Sequence, residues 1–287
     1  MLGKITLGLF FLLLVWGNMV AGMKAGLGCP DWPLCHGRVV PPYRWDIYME
    51  FTHRVIAALA SVSLVMLSYR RLKDYKGGAK AIPVAAVGLL VFEVVLGGLV
   101  VLFELPVQLT TVHFMVGLTV FLLVFYMYAF DGVERPARFS MKGSSSLFFV
   151  LAGAVFFQAA LGSYVRHGGA GLVCPDFPAC LGGFIPPALS DSRVLVHFTH
   201  RLVAYMLFLT ITSLYIAALL DKSLETSRGR VSILLALITI QIAVGGAVVM
   251  SRLYYLATAF HLAVALAMLY VIGGMWAQAA VKEKAKP

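Results

Sequence analysis

Four cysteines and four of the histidines occur in the same order in both halves of this chain. The repeated segments, 145 to 148 residues apart, are Cys29-Pro-Asp-Trp-Pro-Leu-Cys35 with Cys174-Pro-Asp-Phe-Pro-Ala-Cys180, Phe51-Thr-His53-Arg54 with Phe198-Thr-His200-Arg201, and His113 with His261. Imidazole and thiolate groups are common ligands of transition metals, and cysteine pairs also form disulfides. The duplication predicts two matched sites, and differences between the copies should show which site does the chemistry.

Each histidine pair supplies two imidazoles without a third protein ligand nearby in sequence. His53 and His200 lie near the start of one apolar stretch in each half, and His113 and His261 lie near the start of another. Each pair is therefore expected at one depth between two helices, where helical bundles commonly hold cofactors. Zinc sites normally use three or four protein ligands. A heme supplies four nitrogens itself, so two axial histidines suffice and heme iron is favoured.

The two halves differ at positions that carry acids only in the first half. Glu50 stands three residues before His53, and the corresponding residue in the second half is His197. A carboxylate beside a bound porphyrin can relay protons or stabilise a developing positive charge, although Glu50 could instead cap its helix. His197 offers an extra potential ligand. Glu93 is matched by Gln241, and a glutamate inside a membrane span is a candidate for a proton path.

The arginines that follow two of the histidines have two alternative roles. Arg54 and Arg201 are candidates for pairing with heme propionates, because guanidinium groups bind carboxylates well. They could equally anchor the helix ends at the lipid headgroups.

The cysteine loops allow three interpretations. Two prolines bend each loop, so a disulfide within it is plausible; a four-cysteine metal site and free redox thiols are the alternatives. The gap of five residues between the cysteines differs from the usual zinc spacing, so local disulfides are favoured.

The composition is that of a membrane protein: 61% of the 287 residues are hydrophobic and 13% are charged. Spanning a bilayer takes about 20 apolar residues. Eight stretches qualify, at about 5–23, 50–69, 81–102, 109–130, 146–165, 195–219, 231–250 and 256–277. We expect an all-α integral membrane protein with eight transmembrane helices in two pseudo-symmetric four-helix bundles. The expected divisions are an N-terminal bundle (1–132), a cytoplasmic linker (133–145) and a C-terminal bundle (146–287).

The net charge of +10 predicts membrane topology rather than nucleic-acid binding. Basic residues cluster in every second connection and at the C-terminus, as the positive-inside rule expects of cytoplasmic segments. Both termini should therefore be cytoplasmic, with the cysteine loops on the outer face. Glycines also repeat: the stretch from Gly17 aligns with that from Gly162, and Gly97-Gly98 with Gly245-Gly246. We interpret the glycine pairs as close helix-packing positions.

With these residues placed, the chain resembles the heme A synthase family over nearly its full length. The resemblance is carried by Gly-x-Gly-Cys-x-x-Trp-Pro-Leu-Cys-His-Gly at 26–37, by Glu-x-x-His-Arg at 50–54, by the second cysteine loop and by the later histidines. It implies two pseudo-symmetric four-helix bundles in the cell's inner (plasma) membrane. It also implies oxidation of the C8 methyl group of heme O to a formyl group, which gives heme A for terminal oxidases.

The resemblance also assigns roles to individual residues. His53 and His113 would flank the substrate heme in the first bundle, with Glu50 as the catalytic acid–base or electrostatic group. His200 and His261 would ligate a heme B cofactor, and the four cysteines correspond to the family's disulfide positions. The family commonly has glutamine at the position of Glu93 and a polar, glutamine-like residue at that of His197, so this chain departs from it at both.

Partners follow from the same resemblance. The enzyme that makes heme O should supply the substrate, an electron partner is required but unidentified, and a homo-oligomer is allowed. Two rival classes are a di-heme b-type electron-transfer cytochrome and a heme transporter. A transmembrane cytochrome places its hemes near opposite faces, whereas the four repeated histidines here all fall near one face.

Overall fold

The computed structural model describes residues 1–139, 143, 145–221 and 227–284. Within them the chain forms eight α-helices, each long and apolar enough to cross a membrane. Their bounds are α1 Leu2–Gly22, α2 Trp45–Asp74, α3 Ala81–Leu102, α4 Val107–Ala129, α5 Ser145–His167, α6 Ser192–Leu220, α7 Arg228–Met250 and α8 Tyr255–Lys284. The expectation of an all-α membrane protein with eight spans is confirmed.

Most of the helices begin a few residues before their apolar stretches, and α2 does so by the largest margin. The apolar run of α2 starts at about residue 50, yet the helix begins at Trp45; α6 begins at Ser192, where Asp191 caps it by accepting a hydrogen bond from the Arg193 backbone N–H. The extra turns are amphipathic, so hydropathy alone does not include them. His53 and His200 therefore lie eight residues into their helices, about 12 Å along the axis at 1.5 Å per residue.

The chain divides into two compact units, Met1–Arg138 with α1 to α4 and Phe139–Pro287 with α5 to α8. In the first unit α1 packs on α2, α2 on α3, α3 on α4 and α4 on α1; the second unit repeats this ring with α5 to α8. Each unit is thus a four-helix bundle in which the histidine-bearing helices are diagonal partners. Of the linker expected at 133–145, residues 140–142 and 144 lie outside the described residues.

Small buried clusters lie beside the cysteine loops, and much of the remaining apolar core of each unit lies on the far side of the histidines. In the first unit Leu64, Leu118 and Phe121 are fully buried, and each follows a histidine by at least five residues on its helix. Ile211 and Leu266 occupy similar places in the second unit. Within a bilayer the lipid is as apolar as leucine, so close packing holds these helices together. This leaves the histidine level as the more polar layer.

Candidate functional site

Each unit brings its two repeated histidines together across the bundle. His53 on α2 and His113 on α4 follow the first residue of their helices by eight and six residues, and His200 on α6 and His261 on α8 repeat those offsets. The imidazoles of each pair are close enough for their charges to interact. The duplicated pattern therefore becomes two similar pairs, each reaching inward from diagonal helices at one level.

Each of these four imidazoles rests against a glycine of the preceding helix. Distances from the ring Cε1 to where a Cβ of that glycine would stand are 2.9 Å for His53 at Gly17, 3.0 Å for His113 at Gly97, 2.9 Å for His200 at Gly162 and 3.2 Å for His261 at Gly245. Non-bonded carbon atoms prefer separations of about 3.5–4.0 Å. Any larger residue at these positions would therefore displace the ring. We name these four glycines the cradle glycines.

The histidine pairs fit a heme. The Nδ1 atoms of all four imidazoles are buried without a well-formed hydrogen bond in the described parts of the chain. Buried polar atoms normally have partners, so the described protein groups leave the surroundings of these imidazoles incomplete, and imidazole nitrogen is a good ligand of heme iron. Among the same residues, no group of three or more His, Cys, Asp or Glu side chains could hold a metal ion alone. Two facing imidazoles therefore suit an iron that brings four nitrogens of its own.

Glu50 is buried beside the first pair. The residue is 6% exposed, and its Oε1 accepts a hydrogen bond of 3.1 Å from Nε of Arg54. It also interacts electrostatically with His113 across the bundle. The capping alternative is wrong, because α2 begins at Trp45 and Glu50 lies in its second turn. A carboxylate buried at the level of two imidazoles can instead act on a ligand held between them.

His197 replaces Glu50 in the second unit and is also buried, but both its ring nitrogens are occupied. Nδ1 donates to the carbonyl of Ala170 at 2.8 Å, and Nε2 accepts from Nε of Arg201 at 3.1 Å. An imidazole bonded in this way has no lone pair left for iron. These contacts tie His197 to Ala170 and Arg201 and leave no ring nitrogen for the potential ligand role considered from the sequence.

Arg54 and Arg201 clamp the cysteine loops. Besides binding Glu50, Arg54 donates to the carbonyls of Cys29 (3.0 Å), Asp31 (2.9 Å) and Leu34 (2.7 Å). Arg201 donates to the matching carbonyls of Cys174, Asp176 and Ala179. This role was not among those considered from the sequence. Pairing of either arginine with a heme propionate stays a prediction.

A disulfide closes each cysteine loop, Cys29 to Cys35 and Cys174 to Cys180. The preferred interpretation of local bridges is thereby confirmed over a four-cysteine metal site or free thiols. Beside each bridge an aromatic ring of the loop packs on a helix of the same unit. A Cβ at Gly98 would lie 2.7 Å from the ring of Trp32, and Phe177 stands in the same relation to Gly246 at 2.8 Å. Gly98 and Gly246, the second glycines of their pairs, therefore allow close contact with a cysteine loop rather than with another helix.

An aspartate shapes the turn inside each loop. The Asp31 carboxylate accepts backbone hydrogen bonds from His36 at 2.6 Å and Gly37 at 2.7 Å, and Asp176 does the same for Leu181 and Gly182. His36 and Gly37 both adopt positive φ, which a tight turn requires. The backbone donors, chiefly those of Gly37 and Gly182, hold the pKa of both aspartates below the usual value. The turns are therefore built around ionised carboxylates.

The polar residues of α3 and α7 also touch the histidines. Oε1 of Glu93 lies 3.1 Å from Nδ1 of His113, whereas Nε2 of Gln241 lies 3.3 Å from Nε2 of His261. The two units thus share their histidines, glycines, arginines and disulfides. They differ in the groups placed beside the imidazoles.

A family model described as cytochrome oxidase assembly protein, COX15-CtaA, matches residues 2–272. The chain belongs to the heme A synthase family. It is 28% identical to the heme A synthase of Bacillus licheniformis, with 91% of this chain and 90% of the relative aligned. The heme A synthase of Shouchella clausii is 28% identical, with 99% of this chain and 98% of the relative aligned. That of Staphylococcus aureus MSSA476 is 26% identical, with 90% of this chain and 86% of the relative aligned. The resemblance drawn from the sequence is confirmed.

In this member of the heme A synthase family, the cradle glycines are the site residues that sequence reasoning missed. Their signal was present, because Gly97 and Gly245 each precede their histidine by 16 residues. Gly17 and Gly162 precede theirs by 36 and 38. A search for small residues repeated at a fixed distance from a repeated histidine would have found Gly97 and Gly245.

Proposed function

We propose that this protein is a heme A synthase that oxidises the C8 methyl group of heme O to a formyl group. The first unit would bind and oxidise the substrate, and the second would hold heme B. The carrying observation is the asymmetry between two otherwise matched sites: among the described residues, the buried Glu50 and the partly buried Glu93 place carboxylates beside the first histidine pair only. The names of the relatives support the same activity.

Substrate binding would use the space between α2 and α4. His53 and His113 would hold the porphyrin iron, and each ring packs against its cradle glycine. The disulfide loop lies over the same end of the bundle, because Arg54 ties its carbonyls to the residue that follows His53. A flat macrocycle is thus fixed in orientation, which is the first requirement for oxidising one methyl group among several.

The reaction requires an acceptor for protons near that methyl group. Two successive hydroxylations give a geminal diol, which loses water to leave the formyl group. With water as the oxygen source the balance is RCH3 + H2O → RCHO + 4 H+ + 4 e−. Electron loss builds positive charge at the methyl carbon, which a preorganised carboxylate stabilises. Glu50 would do this and then accept a proton, since its bond to Arg54 engages Oε1 and does not use Oε2.

The second unit lacks these acidic groups. His200 and His261 would hold heme B, which when bound passes single electrons as its iron changes oxidation state. At the place of Glu50 the neutral His197 is fixed between Ala170 and Arg201. This arrangement offers no carboxylate to accept protons from a bound porphyrin. Electron transfer suits the second unit better than oxidation of a ligand.

The membrane setting completes the proposal. We place the protein in the plasma membrane with both termini cytoplasmic and the disulfide loops outside, where oxidising conditions maintain disulfides. The alternating basic connections support that orientation. The bundles at 1–132 and 146–287 would then be the catalytic and cofactor domains, joined by the cytoplasmic linker at 133–145. The heme O synthase would deliver the substrate to the first bundle.

Heme extraction from the purified protein tests this function. The protein is expressed beside a supply of heme O, and its hemes are separated by chromatography. Heme A or its alcohol intermediate, together with heme B, is expected. Two heme B per chain without heme A would favour the electron-transfer cytochrome. A His53→Ala variant should lose the product while retaining heme B, because only the first unit is altered.

A further inference from the structure

Two differences between the units occur together on facing helices. Glu93 on α3 is replaced by Gln241 on α7, and Gly117 on α4 is replaced by Ala265 on α8. Gly117 lies four residues after His113, so both face the same side of α4 one turn apart. The acid and the glycine are therefore brought to one place by the fold, although they are far apart in sequence.

In the first unit the Glu93 side chain occupies the space that a residue larger than glycine would fill. A Cβ at position 117 would stand 2.8 Å from Oε1 of Glu93, closer than such atoms approach in folded proteins. The same oxygen lies 3.1 Å from Nδ1 of His113. At this distance the two groups are in contact, although the arrangement does not meet the geometry of a hydrogen bond.

In the second unit the corresponding group meets the other ring nitrogen. Gln241 approaches Nε2 of His261 at 3.3 Å, and the buried Ala265 stands at the position that matches Gly117. Nε2 is the nitrogen that commonly ligates iron, so this amide must move aside when a heme binds. In the described part of the second unit, His261 therefore has no carboxylate beside its Nδ1 as His113 has in Glu93.

We propose that Glu93 is a positioning residue for His113, and that Gly117 is present to admit it. An imidazole that ligates iron through Nε2 carries its proton on Nδ1 and usually donates it to a carboxylate or carbonyl, which fixes the ring and makes the ligand more basic. Glu93 supplies that acceptor in the first unit. This inference rests on the proposed function, since it concerns the heme O site, and it gives that site a more electron-donating ligand than the heme B site.

A double-mutant cycle on heme binding tests the pairing of Glu93 with Gly117. Purified full-length protein, with heme B in the second unit, is titrated with ferric heme O while the low-spin absorption band is followed. Glu93→Ala and Gly117→Ala should each weaken binding about tenfold or more, as losses of such partners do. The double variant should be no weaker than either single variant, because both changes remove one interaction. Gly88→Ala is the matched control on α3, where a Cβ meets nothing within 4 Å.

A second measurement isolates the carboxylate's charge. Glu93→Gln keeps the size and an acceptor oxygen, so heme O should still bind. The midpoint potential of that heme should rise, because a neutral partner favours the ferric iron less, while the potential of heme B should not change. Additive losses in the cycle, or an unchanged potential in Glu93→Gln, would overturn the inference. Wild-type protein that binds no heme O would instead overturn the proposed function on which the inference rests.

Discussion

Adding one methyl group at Gly162 should selectively weaken the heme B site. A Cβ there would stand 2.9 Å from Cε1 of His200 and 3.6 Å from Nε2. Carbon atoms prefer about 3.5–4.0 Å, so the ring must retreat by roughly 0.6–1 Å or the helices must separate. Overpacking of this kind costs about 1–3 kcal/mol. If that cost falls on the ligated state, heme B affinity should drop roughly 5- to 140-fold.

The matched control lies on the same helix. Gly153 also belongs to α5, but a Cβ there meets nothing within 4 Å, so Gly153→Ala controls for helix propensity and handling. The assay is heme B content per chain, followed by the rate of heme transfer to an apoprotein acceptor. Gly162→Ala should lose heme B faster than Gly153→Ala. Equal retention in the two variants would refute the cradle role of the glycine.

Three further outcomes follow from the described contacts. His261→Ala should lower heme B content while the protein still inserts into the membrane, since iron loses an axial ligand; unchanged content would remove His261 from the site. Arg54→Lys should speed reduction of the Cys29–Cys35 disulfide, because a lysine ammonium group cannot replace the forked guanidinium group that holds three loop carbonyls. The rate of reduction is measured by thiol labelling, and an unchanged rate would show that the clamp is dispensable. The loop turns should remain ordered above pH about 4, where both aspartates are ionised. They should loosen as the pH falls below 3.8 through the lowered pKa values of Asp31 and Asp176, because the protonated carboxyl groups accept the backbone hydrogen bonds less well. The measurement is the protection of the loop amides from hydrogen exchange, corrected for intrinsic exchange. Protection that stays constant to pH 2, or the same loss in the Asp31→Asn and Asp176→Asn double variant, would contradict this account.

The sequence predicted the features that follow from bilayer thickness and from duplication. Apolar runs of about 20 residues mark spans whatever the helices pack against, so all eight were found. Duplication singled out His53, His113 and their copies among the other histidines, because a repeated polar residue in a membrane helix is costly to keep without a use. The short spacing of the cysteines favoured the local disulfides that the structure contains.

The features that the sequence did not predict depend on segments that meet only in the folded chain. Arg54 binds carbonyls of the first cysteine loop that lie 20 to 25 residues earlier in the chain. No pattern in the intervening sequence predicts that this loop folds back onto α2. His197 looked like a spare ligand until its partners, Ala170 and Arg201, were in place. The amphipathic first turn of α2 likewise hid the true start of the helix, and with it the buried position of Glu50.

The most direct test of the proposed division of labour is the heme content of Glu50→Gln protein expressed beside a heme O supply. Removing the charge while keeping the size should slow oxidation on the order of a hundredfold or more, because a group that stabilises the transition state is lost. Heme O or its hydroxylated intermediate should then accumulate on the protein, with heme B still present in the second unit. His197→Gln, the matched change in that unit, should leave heme A formation intact. A normal yield of heme A from the Glu50→Gln protein would contradict the assignment of Glu50 as the catalytic carboxylate.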